Sequence, residues 1–324
     1  MIKFVNVSKK YSDGTEAIKG IDIEIPEGKL VALIGPSGCG KTTTMKMINK
    51  LITPTKGTIF INGEDITAKN EVELRRNIGY VIQRIGLLPH MTIEENISLV
   101  PRLKGWKKEE YQSRVNELLE LVGLEPDTFK KRYPLELSGG QQQRVGVVRA
   151  LAAEPPIILM DEPFSALDPI SREQLQDELK ALQKKIHKTI VFVTHDMDEA
   201  LKIADEIVIM RDGKIEQIAT PEQLLQNPAN DFVHTFIGED RINKGNSNRH
   251  VMDIMISLNE SDLLEKELPT ISWESTITEA AKQLIQKKVD KIAVVKNKEI
   301  VGTITKEEVL HFVAGIRREE ESSC

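Results

Sequence analysis

Gly35 to Thr42 reads GPSGCGKT and satisfies G-x-x-x-x-G-K-[ST] at every position. It follows directly on the apolar run LVALI, Leu30–Ile34. The chemistry open to that spacing is anion binding. Glycines let the backbone turn sharply and aim its N–H groups at one point, and a helix starting there adds free N–H groups of its own. The expected cradle is the backbone of Gly38, Cys39, Gly40, Lys41, Thr42 and Thr43, with Ser37 at its entrance. Lys41 would bring a point charge to the β and γ phosphates, and Thr42 a hydroxyl for Mg²⁺.

A second apolar run, IILMDEP, ends in Asp161 and Glu162. Successive strand residues face opposite ways, so one carboxylate can serve the metal while the other faces the attacking water. Beside Lys41 and Thr42, Asp161 is expected on the metal side and Glu162 as general base. A third stretch, LSGGQQQR (Leu137–Arg144), sets Ser138, Gly139, Gly140 and Gln141 at a second anion-binding helix start. One chain then carries two phosphate-facing surfaces. If they face apart in the monomer, two copies packed head to tail on a two-fold would sandwich two nucleotides.

Such residues need rigid elements behind them. The first sixty or so residues read as short strands with turns: IKFVNV, IDIEI and GTIFING. The runs IGYVI, PIILMDE, TIVFVTH and EIVIM lack polar alternation, as parallel strands covered on both faces should. Helical patterns such as Ser113–Leu121 and Ser171–Ile186 lie between them, which implies a wound α/β sheet. RDGK at Arg211–Lys214 signals a hairpin. The polar stretch from Gly238 to His250 has no apolar periodicity. The expected organisation is a first domain over 1–238, a linker over 239–250, a small domain over 251–318 and a tail over 319–324.

At 324 residues the chain is too long for one ordinary core. With 40% hydrophobic and 29% charged residues it reads as soluble and globular. A net charge of -6, with both signs mixed along the chain, argues against a dedicated nucleic-acid partner. Cys39 and Cys324 offer no disulfide framework, which fits a reducing cytoplasm. No stretch reaches the ~18 apolar residues of a membrane span, and the start MIKFVNVSKKYSDG is a strand pattern rather than a signal peptide. Membrane association is therefore expected through a partner.

The chain resembles the ATP-binding subunits of ABC transporters. Gly35–Thr42 matches their Walker A, IILMDEP their Walker B, and LSGGQ their signature letter for letter. SALD (Ser165–Asp168) matches the D-loop, Gln83 after IGYVI the Q-loop, and His195 after IVFVT the switch histidine. The motifs keep family order from Tyr11 to about Gly238. The resemblance implies an α/β ABC-type ATPase domain with a mostly parallel core sheet, an antiparallel β subdomain and a helical subdomain. It implies that Tyr11 stacks on adenine, that Gln83 contacts Mg²⁺ or the lytic water, that His195 orients the γ-phosphate and water beside Glu162, and that Asp168 acts across a dimer interface. ATP and Mg²⁺ are the implied cofactors. The implied partners are a second ATPase subunit, two integral membrane permease subunits and a solute-binding domain or protein, with the chain peripheral on the cytoplasmic face of a bacterial membrane. In this family the region Arg84–Ile97, with Ile85, Leu87, Leu88 and Met91, receives the permeases. IGLLPHMT together with the tail resembles importers of quaternary amines such as glycine betaine, carnitine and choline. Two other functions stay open: an exporter of amphipathic toxic compounds such as bile salts, and a soluble ABC ATPase outside transport.

Beyond residue 250 a β-α-β-β-α pattern restarts, with capping boxes at Thr276–Glu279 and Thr305–Glu308. LPTISWESTITEAAKQLIQKKVDKIAVVKNKEIVGTITKEEVL resembles a CBS domain, a small α+β unit that normally works in pairs and often binds adenine nucleotides. One copy is present, so a second chain could supply the other half. The family often places an aspartate where Glu308 stands, to hold a ribose. Three roles follow from the resemblance: a regulatory site for cyclic di-AMP or an adenine nucleotide, a dimer staple, or an ionic-strength sensor. The charge runs Lys184–Lys188 and Arg317–Glu321 read as solvated surface.

Overall fold

The computed structural model describes residues 1–82, 86–247, 250–257, 268–297 and 299–313. The chain divides into two compact units, Met1–Leu224 and Leu225–Cys324.

The first unit opens with an antiparallel sheet in the order β2-β1-β4-β5. Its strands are β1 (Ile2–Lys10), β2 (Glu16–Ile25), β4 (Lys56–Ile61) and β5 (Glu64–Asp65). Alternation decides its inner face: Ile2 and Phe4 of β1 are buried while Lys3 and Val5 are exposed. The second sheet has six strands in the order β10-β9-β3-β8-β7-β6. These are β3 (Leu30–Ile34), β6 (Ile78–Val81), β7 (Ile157–Asp161), β8 (Thr189–Val193), β9 (Glu206–Arg211) and β10 (Lys214–Ala219). All its pairings are parallel except the β9–β10 hairpin. Every residue of β3, β7 and β8 is buried, as the unbroken apolar runs require of strands covered on both faces. The hairpin turns on Asp212 and Gly213, both at positive φ (48° and 79°), the conformation a two-residue turn needs to match strand twist.

Helices α1 (Lys41–Ile48), α2 (Glu71–Arg76), α3 (Ile93–Leu103), α4 (Lys108–Leu121), α5 (Pro126–Phe129), α6 (Gly139–Leu151), α7 (Pro169–Ile186) and α8 (Met197–Ile203) complete the first unit, and α9 (Pro221–Gln226) crosses the boundary. α3 and α4 pack with each other and with α6, forming the helical part expected between β6 and β7. α3 begins with a full capping box, Thr92 with Glu95. Asn96 on its first turn is fully buried. Its amide donates to the carbonyls of Leu88, Met91 and Thr92 and accepts from the Leu88 N–H, which fixes the loop ahead of the helix.

The second unit carries α10 (Asp231–Ile237), α11 (Glu239–Ser247), α12 (Ile277–Lys287) and α13 (Lys306–Val313). Its sheet runs β11-β14-β13-β12, with β11 (Ile256–Ser257), β12 (Thr270–Ser272), β13 (Lys291–Lys296) and β14 (Glu299–Thr305). β12 and β13 are parallel and the other pairs antiparallel. This is the expected β-α-β-β-α order with one short strand added at the edge. Both capping boxes form, and the Glu308 carboxylate accepts the Thr305 N–H at 2.7 Å.

The segment 239–250, expected as a linker, instead holds helix α11, which lies against α13. Gly238, at φ 91°, ends α10. Glu239 and Asp240 then sit in the first turn of the new helix, where the dipole favours acids. Ile242 is buried, and one anchor in a polar stretch leaves no periodicity to read. The compact boundary at Leu224/Leu225 accordingly falls before the expected one at 238. Among the described residues no helix is long and apolar enough to cross a membrane.

Candidate active site

Strands β3, β8, β7 and β6 lie side by side and parallel, so their C-terminal ends emerge along one edge. That edge is where open α/β sheets place ligands. The loop after β3 is the glycine-rich one, β7 ends at Asp161 and Glu162, and β8 leads to His195. Gln83, just after β6, lies outside the described residues, as does Ile85.

The glycine-rich loop is braced from behind. Gly35 has φ 154°, and a β-carbon there would sit 2.1 Å from the Met210 carbonyl oxygen. The Gly213 N–H donates to the Cys39 carbonyl at 3.1 Å, and the Gly213 carbonyl accepts from the Lys19 N–H at 2.8 Å. The hairpin tip thus ties the loop to β2. On its outer side Gly38, at φ 78°, has nothing within 4 Å of where a β-carbon would stand. Gly40, at φ 106°, precedes α1 and leaves the first-turn N–H groups without a side-chain cap. The Cys39 thiol is buried behind the loop, and burial pushes its pKa up against the pull of the Lys41 charge. Cys39 therefore offers the site its backbone rather than its sulfur.

Lys41 is only 7% exposed. Its ammonium donates to the carbonyls of Gly35 at 2.7 Å and Pro36 at 3.0 Å, held in the loop it serves. The Tyr11 hydroxyl lies 3.4 Å from Thr43 Oγ1, with the ring exposed beside the first turn of α1. The Lys9 ammonium stands 5.3 Å from that ring's centroid.

Thr42 Oγ1 donates to Asp161 Oδ1 at 3.1 Å. Asp161 is buried, and burial pushes its pKa up. The Thr42 hydrogen bond and the Lys46 and Lys41 charges act the other way, while Glu162 adds to the rise. A buried carboxylate beside a hydroxyl is a hard-oxygen pair suited to Mg²⁺, which usually keeps several waters and takes one or two protein oxygens besides substrate phosphates. Among the described residues no group of three or more His, Cys, Asp or Glu side chains could hold a metal. The donors present fit Mg²⁺ held together with a phosphate substrate.

Glu162 has φ 49°, a conformation that costs a non-glycine residue about 1–3 kcal/mol and persists only when its surroundings enforce it. Its N–H donates to the Val193 carbonyl at 3.0 Å, and its carbonyl accepts from Ser165 Oγ at 3.0 Å. The turn sends the Glu162 side chain away from Asp161, and its Oε1 stands 3.5 Å from His195 Nδ1. The histidine is 64% exposed and the glutamate 22%, so the pair opens to the surface.

Ser138 caps α6, with a capping box to Gln141: the Gln141 N–H donates to Ser138 Oγ at 3.3 Å, and the Ser138 N–H to Gln141 Oε1 at 3.0 Å. The same helix reaches the strand-end loop, because buried Gln143 donates to the Pro163 carbonyl at 2.6 Å. Gly140 faces Leu167, whose Cδ2 would lie 3.2 Å from an added β-carbon. Gly139 has open space at that point. Asp168 caps α7, accepting from the N–H groups of Ile170 and Ser171 at 3.1 Å each. Those bonds hold its carboxyl below the usual range, the Ser171 side chain contributing most.

The structure thus joins Thr42 with Asp161, Glu162 with His195, and Tyr11 with Thr43. The sequence reading overlooked buried Thr194 and Glu199 and half-buried Arg172, which form a polar cluster next to His195 in the chain. The available signal was an acid on the helix that follows the histidine, together with an arginine just past SALD. Neither residue type at such a place stands out from an ordinary helix surface.

The chain matches the ABC transporter family over residues 18–165 and the CBS domain family over residues 261–315. It is 53% identical over 301 residues to the glycine betaine/carnitine/choline transport ATP-binding protein OpuCA of Bacillus subtilis (strain 168), covering 93% of this chain and 77% of that protein. It is 63% identical over 242 residues to the carnitine transport ATP-binding protein OpuCA of Listeria monocytogenes serotype 1/2a (strain 10403S), covering 75% of this chain and 61% of that protein. Among solved structures, it is similar to the ATP-binding cassette MJ0796 in a dimeric post-hydrolysis state bound to ADP and Pi. There the TM-score is 0.63 at 38% identity, covering 68% of this chain and 99% of that one.

Proposed function

This chain belongs to the ABC transporter family as an ATP-binding subunit with a CBS domain, and on that premise we propose that its ATP hydrolysis drives import of a quaternary ammonium osmoprotectant: glycine betaine, carnitine or choline. The observation that carries the hydrolytic part is the meeting of three strand ends, which sets Thr42 against Asp161 and Glu162 against His195. The solute class rests on the functions of the two transport relatives.

In the proposed mechanism the loop N–H groups from Gly38 to Thr43 and the Lys41 ammonium bind the phosphates, and Tyr11 offers its ring face to adenine. Thr42 and Asp161 would hold Mg²⁺, which when bound neutralises charge on the phosphate oxygens. Glu162 accepts a proton from the attacking water at its carboxylate, and His195 orients that water and the γ-phosphate. Ser138 to Gln141 and Asp168 complete the site of a second copy, so two subunits enclose two nucleotides. The signature helix start presents the Gly139 and Gly140 backbone and the positive end of the helix dipole to the partner's phosphate. Gln83 would contact Mg²⁺ or the lytic water and sense the permease subunits, which dock on the Leu87–Met91 loop held by Asn96. The chain sits peripherally on the cytoplasmic face of the membrane, attached through those subunits and working with a solute-binding domain or protein.

Vesicles holding the complete complex and loaded with ATP are expected to take up labelled choline, carnitine or glycine betaine. The same vesicles with Glu162→Gln should not. ATP-dependent uptake of none of the three rejects the solute class while leaving the ATPase assignment intact.

The CBS unit is proposed as the regulatory part, with cyclic di-AMP or an adenine nucleotide as ligand. Because the Glu308 carboxylate closes a helix cap, a ribose there would have to be held by other groups. Full-length Lys41→Ala, with its catalytic site silenced, should release heat when titrated with cyclic di-AMP or AMP. Heat with neither assigns the unit to dimer stapling or ionic-strength sensing instead.

A further inference from the structure

Glu199 has no role in the steps above, yet it is a carboxylate only 7% exposed in the first unit. Its Oε2 accepts from Thr194 Oγ1 at 2.6 Å, and its Oε1 lies 3.7 Å from Arg172 Nε. Arg172, on the first turn of α7, donates from Nη2 to the Leu167 carbonyl at 3.2 Å, and its Nη1 lies 3.8 Å from Asp196 Oδ2. Thr194 Oγ1 accepts the Asp196 N–H at 3.0 Å, and the Thr194 N–H donates to the Leu33 carbonyl at 3.2 Å. A path with hydrogen bonds at each end and one ion-pair contact of 3.7 Å between Arg172 and Glu199 therefore leads from the Leu167 carbonyl to Thr194, the residue before His195. Its ends are the loop that presents Asp168 and the loop that presents His195. Burial pushes the Glu199 carboxyl up, opposed by the Thr194 bond and by Arg172.

We propose that Glu199 is a positioning residue for hydrolysis: paired with Arg172, it keeps the His195 loop and the Ser165–Asp168 loop in register. It acts through the two loops rather than on the reacting atoms. A buried charge with two such partners is costly to leave half-satisfied, so displacing either loop strains the contact to the other, and the two loops take their catalytic places together. The inference rests on the roles given above to His195 and Asp168.

The test is steady-state ATP hydrolysis by the full chain. Glu199→Gln keeps an oxygen for Thr194 and removes the charge facing Arg172. It is expected to lower kcat about tenfold with KM for ATP within about twofold of the parent. Arg172→Gln should act alike. If the two residues work through each other, the double variant is no slower than the slower single one. Independent action would multiply the losses, to about a hundredfold, and that result overturns the proposal. So does a parental kcat in either single variant, or a KM rising in step with a falling melting temperature, which is a loosened fold. Should Glu199→Gln not fold, Arg172→Lys carries the same kcat-against-KM test. His195→Ala separates the levels. If it hydrolyses ATP at the parental rate, the reading of His195 fails; if it is inactive while Glu199→Gln is unimpaired, only the coupling falls.

Discussion

Glu162→Gln is expected to bind ATP as the parent does, to lose hydrolysis by roughly 10²–10⁴-fold, the usual contribution of a general base, and to accumulate as an ATP-loaded dimer. The amide has nearly the shape of the carboxylate and suits the same φ of 49°, so the turn between Asp161 and Ser165 is kept. What disappears is the capacity to take a proton from water. The His195 contact at 3.5 Å becomes one between an imidazole and an amide, so the histidine keeps its neighbour while the site loses its acceptor for the water proton. Because nothing in the phosphate loop changes, nucleotide affinity is spared and the closed state outlives the assay. Single-turnover hydrolysis and size-exclusion chromatography with magnesium ATP measure both effects. Turnover at the parental rate would remove Glu162 from the base role and pass the proton to another acceptor near His195.

Lys41→Ala should fail one step earlier. The ammonium is nearly enclosed and donates to two loop carbonyls. Phosphate binding exchanges or supplements those bonds with charge-assisted ones, worth about 1.5–3 kcal/mol each. Truncation is therefore expected to weaken ATP binding roughly 10–100-fold and to leave hydrolysis at background. Lys41→Arg is no remedy, since a planar fork does not fit where a compact ammonium lies between the Gly35 and Pro36 carbonyls. Fluorescent ATP-analogue titration of both variants decides it. Parental affinity in Lys41→Ala would mean that the backbone N–H groups alone carry the phosphates.

The residues proposed for catalysis were legible because they follow the ends of unbroken apolar runs. LVALI, IILMD and TIVFV could only be strands covered on both faces, and parallel neighbours bring their ends together without any long-range information. The pairs Thr42–Asp161 and Glu162–His195 follow from that rule and from strand alternation. Motif order supplied the family, and the capping boxes at Thr276 and Thr305 located the helices of the CBS unit. Elsewhere local pattern was a poor guide. α11 has one buried apolar anchor, Ile242, so its helical period is silent in sequence. Asn96 and Glu199 are polar residues whose burial depends on the loop ahead of their own helix folding over them and, for Glu199, on Arg172 of α7. The coupling of Arg172 to Glu199 joins two helices that are neighbours only once β7 and β8 pair.

The bracing of the phosphate loop has a bearing on how the protein is made. β3 lies between β8 and β9 in the sheet, and the loop it feeds is tied to the hairpin tip at Gly213. All three supports are translated long after the loop itself. A ribosome-bound chain that already displays GPSGCGKT therefore has no finished receptor for a nucleotide, because the strand beneath it still lacks both neighbours. The loop is thus expected to gain its full bracing only near the close of the first unit's synthesis, once Gly213 has emerged.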